Sequence, residues 1–300
     1  QAVESGLVEC VLVVGFEQMA PGAIGAIFQD RPSPFANFDD ACSRLVDIEL
    51  PLALRYFGGA GREHMERYGT TLEDFAMVRA KASRHAAKNP LSVFRNEMSV
   101  QDVLDAPMIW PGVMTRPMAC PPTCGAAAAI LVSRDFAKRH GIAPQVKIAA
   151  QAMTTDLPST FGSESMMNLV GAEMTQKTAQ KVYEQAGVGP EDIKVVELHD
   201  CFVHNEVLTY EGLGLCPTGG ASKFIADGDN THGGKVVTNP SGGLLSKGHP
   251  LGATGLAQCY ELTRQLQGQA EQRQVDNVQH GLQHNLGLGG ACVVTLYERV

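Results

Sequence analysis

The chain has 300 residues, 44% hydrophobic and 19% charged, with a formal net charge of -8. This balance excludes a disordered polyelectrolyte, and the acidic sign argues against non-specific binding to nucleic acid. No run of about 18 apolar residues occurs, so no membrane-spanning helix is expected.

Residues 1–6 read as the tail of a helix, and 11–15 (VLVVG) as a strand buried on both faces. A strand of that kind needs neighbours on both sides, so the sequence reads as though it opens inside a domain. Residues 19–118 show helical signals and no strong strand. The best helices are 41–57 and 71–86, the second with Thr71 and Asp74 as an N-terminal cap and with Arg79, Lys81 and Arg84 along a charged face. Phe28, Phe35, Phe38, Met65, Met77, Phe94, Met98 and Trp110 interleave with them. This composition fits a helical insertion covering a site, and equally an ordinary helical subdomain.

Segments 126–132 and 146–153 read as strands, with a helix over 133–140 stopped by Gly141. A clear helix follows over 172–186, ended by Gly187, and then a strand over 193–198. His199, Asp200, Cys201 and Phe202 stand at that strand's carboxyl end, where open α/β sheets gather their chemistry. Residues 239–255 (NPSGGLLSKGHPLGATG) form a Gly/Pro loop that holds His249 between Gly248 and Pro250 and leads into a helix. Strands over 277–283 and 291–298 are joined through 284–290 (HNLGLGG), a loose turn able to present backbone N–H groups.

Eight cysteines are scattered at positions 10, 42, 120, 124, 201, 216, 259 and 292, which is no disulfide framework. Cys120 and Cys124 are the one close pair. A zinc site needs further ligands at suitable spacing, Pro121–Pro122 marks a turn, and no metal is expected. Thiol and imidazole together suit proton abstraction and acyl transfer through thioesters, and glycine turns suit oxyanion stabilisation.

The motifs NPSGG and KGHPLGATG resemble the GHP loop of the thiolase superfamily. HDCF at 199–202 looks like the motif of sterol carrier protein X type thiolases, where most thiolases have NEAF, and QHNLG at 283–287 matches that subfamily. GAAAAIL at 125–131 resembles the family's DGAA strand, with Cys124 where Asp is usual. The resemblance implies an α/β thiolase-like fold, two related α/β halves in a five-layer sandwich with a helical loop domain. By it, residues 1–20 and 124–165 belong to an incomplete N-terminal half, 21–123 to the loop domain, and 166–300 to the C-terminal half.

The implied activity is thiolytic cleavage of 3-oxoacyl-CoA to acyl-CoA plus acetyl-CoA or propionyl-CoA. Coenzyme A is a substrate, and no covalently bound cofactor is implied. His249 would lie in an oxyanion hole and help activate the nucleophile. His199 would replace the Asn that holds a water there, and Cys201 would be the acid/base thiol. The backbone near Leu286 would serve a second oxyanion hole, with Asn239, Gly248, Pro250 and His284 as loop support and Asp200 structural. A homodimer and a peroxisomal location are implied, with the mitochondrion as alternative. The family's attacking cysteine, in a segment resembling Asn-x-x-Cys-x-x-Gly-Ser, has no counterpart here. A fragment, a truncated protein and a separately carried upstream part all fit that reading. Two other functions fit the same residues, a non-catalytic acyl-CoA or lipid-binding protein and a condensing synthase.

Overall fold

The computed structural model describes residues 1–20 and 30–300, so Phe28 of the aromatic series lies outside the described residues. In chain order the elements are β1 (Cys10–Glu17), α1 (Ala36–Leu45), α2 (Leu52–Tyr68), α3 (Leu72–Ala87), α4 (Val100–Leu104), β2 (Met108–Trp110), β3 (Met114–Thr115), β4 (Gly125–Val132), α5 (Arg134–Arg139) and β5 (Val146–Thr154). There follow α6 (Pro158–Gly162), α7 (Met166–Leu169), α8 (Ala172–Ala186), β6 (Val195–Glu197), α9 (Val203–Gly212), α10 (Ala221–Ala226), β7 (Val237–Thr238), α11 (Gly243–Ser246), α12 (Thr254–Leu266), β8 (His280–Gly287) and β9 (Ala291–Arg299).

The central layer is a 5-stranded mixed sheet in the order β5-β9-β8-β6-β7. β6 runs parallel to β7 and β8, whereas β9 is antiparallel to both β8 and β5. The alternation of apolar positions makes α8 and α12 amphipathic. α8 packs on β5 and β9, and α12 packs on β8 and β6. The strand over 146–153, grouped by sequence with residues 124–165, pairs with β9 inside this sheet. β4 and β5 therefore flank α5 in sequence and belong to different sheets.

Val11, Val13 and Gly15 follow the expected strand pattern in β1, but the strand is not buried on both faces. Among the described residues β1 pairs only with β4, antiparallel, with Leu12 opposite Ile130 and Val14 opposite Ala128. One face packs on α12 and its entry, so closely that a Cβ on Gly15 would sit 2.2 Å from the Gly252 carbonyl oxygen. On the other face Leu12 is 65% and Phe16 73% exposed, because no described residue packs over them.

The expected helix over 41–57 is two helices. Pro51, at φ -50 and ψ 144, precedes α2, and its ring disfavours helical backbone in the residue before it. α3 matches its sequence signal, with Thr71 and Asp74 in a reciprocal capping box. Its charged face is the larger correction. Arg79 and Lys81 are 4% and 1% exposed, and only Arg84 reaches solvent. Arg79 donates to Ser246 Oγ at 2.7 Å, and Lys81 pairs with Glu206 while donating to Thr238 Oγ1 at 2.7 Å and Tyr210 Oη at 3.1 Å. These buried ions tie the helical region to α9 and to the loop that carries His249. The same region reaches the site through Phe57 of α2, which stacks on Phe202 with ring centroids 4.9 Å apart.

Candidate active site

β6 ends at Glu197, and the chain beyond it is held open by a side chain from the following loop. Asn239, at φ +51, accepts the Leu198 N–H on Oδ1 at 2.8 Å, while its own N–H donates to Val196 O at 2.7 Å. His85 of α3 donates from Nδ1 to the Asn239 carbonyl at 3.0 Å and accepts from Thr231 Oγ1 at 2.7 Å. Asp200 turns away from the cleft and accepts the Leu244 and Leu245 N–H groups at 2.7 and 3.4 Å. Burial, and then neighbouring Glu206, push the Asp200 carboxyl up to about 8. Asp200 thus anchors the start of α11, the short turn leading to Gly248 and His249.

His199 and His249 come together as the motifs suggested. Their rings lie 4.9 Å apart, edge to face at 87°. His199, Cys201 and His249 are 7%, 6% and 8% exposed, enough for a small opening on an otherwise buried cluster. His249 Nδ1 meets Thr254 Oγ1 at 2.7 Å, and that hydroxyl donates to Pro250 O at 3.0 Å. The hydroxyl proton is therefore committed, so Nδ1 carries the imidazole proton and Nε2 holds the lone pair. Burial, then the His199 and Lys247 charges, lower His249 to about 2. Burial likewise lowers His199 to about 4, and both rings are neutral at pH 7. Cys201 is pushed well above the ordinary thiol range by burial, then by Cys120 and Asp200. It is a thiol able to donate a proton, not a resting thiolate.

His284 is fully buried. Its Nδ1 accepts the His199 N–H at 3.4 Å, and its Nε2 meets Thr175 Oγ1 of α8 at 3.0 Å. It supports the 199–202 backbone. The expected turn over 284–290 is shorter than its sequence suggests. β8 continues through Gly287, with Leu286 opposite Cys292, because these residues extend the β8/β9 ladder. β6 stops pairing at Gln283, so from His284 onward the β6 side of β8 has no strand partner among the described residues. Leu286 lies on that stretch with its side chain in the core. Pro250 packs near Gly125 at the start of β4.

A strap over 119–123 links the two motifs, and sequence reasoning missed it. Ala119 forms an antiparallel bridge with Phe202, and Cys120 N–H donates to Cys201 O at 2.9 Å, which sets Cys120 directly opposite Cys201. Pro122 bridges His249, whose N–H donates to Thr123 Oγ1 at 3.1 Å. Cys120 and Cys124 do not act as a pair. Cys124 is exposed and accepts from Met19 N–H, whereas Cys120 turns into the site, where burial raises its thiol to about 12. A surface groove of about 720 Å³ along α8 and residues 187–192 contains none of the candidate residues.

Such a site, thiol and two imidazoles at a sheet's carboxyl end under a Gly/Pro loop, can pass protons and stabilise an oxyanion. Residues 159–297 match the family described as "Thiolase C-terminal domain-like". The chain is 50% identical over 300 residues to Sterol carrier protein 2 of Oryctolagus cuniculus, covering 99% of this chain and 55% of that protein. It therefore spans about half the length of such relatives. An Acetyl-CoA acetyltransferase of Methanothermobacter thermautotrophicus is 33% identical, with 99% of this chain and 75% of that protein covered. Among solved structures, an Ltp2-ChsH2(DUF35) aldolase superposes with a TM-score of 0.81 at 24% identity, covering 99% of this chain and 74% of that one. The dimeric peroxisomal thiolase of Saccharomyces cerevisiae superposes with 0.70 at 16% identity, covering 100% and 71%. The chain belongs to the thiolase superfamily and is of the sterol carrier protein 2 thiolase type.

Proposed function

We propose that this chain carries the proton-transfer and carbonyl-polarising half of a 3-oxoacyl-CoA thiolase site. The observation that carries the reading is the contact of the His199 and His249 rings. In this reading a thioester carbonyl oxygen lies between the two imidazoles. His249 Nε2, with its lone pair free, takes the proton of an attacking thiol and then offers the resulting N–H to the developing oxyanion. Cys201 gives its proton to the departing enolate and recovers one from coenzyme A. The backbone of β8 near Leu286 faces a second thioester oxygen. Coenzyme A is a substrate and no covalently held cofactor takes part. The products are acyl-CoA plus acetyl-CoA or propionyl-CoA, in fatty-acid β-oxidation. A homodimer in the peroxisome belongs to the same reading, supported by the similarity to a thiolase with both attributes.

Exchange of the C2 protons of acetyl-CoA with deuterated water isolates the Cys201 step without an attacking cysteine. Proton exchange that disappears in Cys201→Ala is expected. Tight acyl-CoA binding without exchange would replace this reading with a non-catalytic binding protein. Equal exchange in wild type and Cys201→Ala would remove Cys201 from the chemistry.

A further inference from the structure

The loop after α3 is patterned inside out. In residues 89–95 (NPLSVFR) the polar Asn89 and Ser92 are buried, whereas Leu91, Val93 and Phe94 are 66%, 53% and 46% exposed. Apolar side chains on a slack loop could turn inward, but this backbone is pinned. Asn89 Nδ2 and Ser92 Oγ both donate to Ser241 O, at 2.9 and 3.1 Å, and Asn89 Oδ1 accepts the Leu91 N–H at 3.0 Å. Val93 N–H donates to Lys247 O at 3.2 Å, and Phe94 N–H to Ser246 O at 3.0 Å. The loop is thus fastened to the segment that leads into His249. A Cβ on Gly248 would lie 3.2 Å from Val93 Cγ2. Buried polar anchors with apolar side chains held outward mark a surface built to meet something.

The charges around it say what. Arg84 and Lys88 lie four residues apart at the end of α3, on one helix face, and Arg95 closes the loop. All three are exposed. Over 84–98 the one acidic residue is Glu97, although the chain as a whole carries a net charge of -8. We propose that this loop docks on an anionic lipid bilayer. Leu91, Val93 and Phe94 dip into the headgroup boundary while Arg84, Lys88 and Arg95 meet the anionic headgroups. Three side chains fall far short of the about 800 Å² per partner that a stable protein interface buries. A bilayer needs less, because each inserted apolar side chain strengthens binding about tenfold and each cation about fivefold. The fastening to 241–247 sets the docked lipid next to the His249 loop.

Sedimentation of the full 300-residue chain with vesicles tests this. Vesicles of phosphatidylcholine and phosphatidylserine should carry the wild type down, and pure phosphatidylcholine vesicles far less. Leu91→Ser/Phe94→Ser should weaken binding to the mixed vesicles about a hundredfold, a factor of about ten for each inserted side chain. Lys88→Gln/Arg95→Gln should weaken it about twentyfold at low salt, and added salt should weaken the wild type more than this variant. All four side chains are exposed, and melting curves by circular dichroism that match wild type show an intact fold. A wild type that ignores the mixed vesicles overturns the proposal, as does equal binding by wild type and Leu91→Ser/Phe94→Ser. Two results would overturn it by reassigning the loop. Acyl-CoA affinity lost in the double variant without any lipid binding gives the loop to the substrate's acyl chain. A wild-type dimer that the double variant dissociates, again without lipid binding, gives it to a second copy. The readout is binding to lipid, so its outcome is independent of the reaction proposed above.

Discussion

Gly243→Ala tests whether Asp200 holds the His249 loop. Gly243 sits at φ +62, and a Cβ there would lie 2.0 Å from Asp200 Oδ2 and 2.8 Å from Asn239 Nδ2. The left-handed backbone costs an alanine about 1–2 kcal/mol. The carboxyl cannot yield cheaply, because it is fully buried and accepts Leu244 N–H at 2.7 Å. Displacing it leaves a buried N–H without its partner, about 1–3 kcal/mol. Together the loss is about 2–5 kcal/mol, which for a chain of this size lowers Tm by on the order of 10 °C. Thermal unfolding followed by circular dichroism measures it. In an Asp200→Ala background the same substitution should cost only the backbone part, about 1–2 kcal/mol, so a double-mutant cycle isolates the clash. A Tm within about 2 °C of wild type, or a cycle with no coupling, would refute the anchoring role of Asp200.

Thr254→Val removes the acceptor that orients His249, leaving a buried donor unpaired at about 1–3 kcal/mol. The rate of acetyl-CoA C2-proton exchange, which needs His249 to polarise the carbonyl, should fall at least tenfold, with little change in KM. Lys81→Met leaves Glu206 buried and uncompensated, and should cost about 3–5 kcal/mol in urea unfolding. Stability should also peak near pH 6.5. Burial lowers His85, His199, His204, His249 and His284 to about 3, 4, 4, 2 and 3. Once unfolded, each takes up a proton below about 6.5, so stability is lost as pH falls from there towards the folded values. Burial raises Glu197 and Asp200 to about 7 and 8, so these two lose stability as pH rises above about 4. The five imidazoles outweigh the two carboxyls below pH 6.5, and the carboxyls act alone above it. Urea midpoints that are higher at pH 5 than at pH 6.5 would contradict the balance.

The helices α3, α8 and α12 were legible because their signals are local. Caps, glycine stops and the 3.6-residue period act within a few turns. Where long-range partners decide, the sequence misled. Arg79 and Lys81 look like a solvated face because charge usually means exposure, and only Glu206, Thr238 and Ser246, all far along the chain, make their burial tolerable. The pairing of β5 with β9 is equally remote, and periodicity names a strand without naming its sheet. The turn over 284–290 was drawn too long because glycines signal loops, while ladder pairing with β9 keeps His284, Asn285 and Leu286 extended.

The site was legible where its residues are contiguous, at 199–202 and 248–250, and illegible where it is assembled. Neither motif can place itself against the other, since each ends an element and runs into open backbone. The strap over 119–123 supplies the missing geometry, pairing with Phe202 at one end and His249 at the other. Its two prolines donate no hydrogen bonds, so its grip on the site passes through Cys120 N–H and the Thr123 hydroxyl, the two groups that contact Cys201 O and His249 N–H. The strap also separates Cys120 from Cys124. The pair is close in sequence because a two-proline strap must turn between them, and the turn sends one thiol beside Cys201 and the other out to Met19.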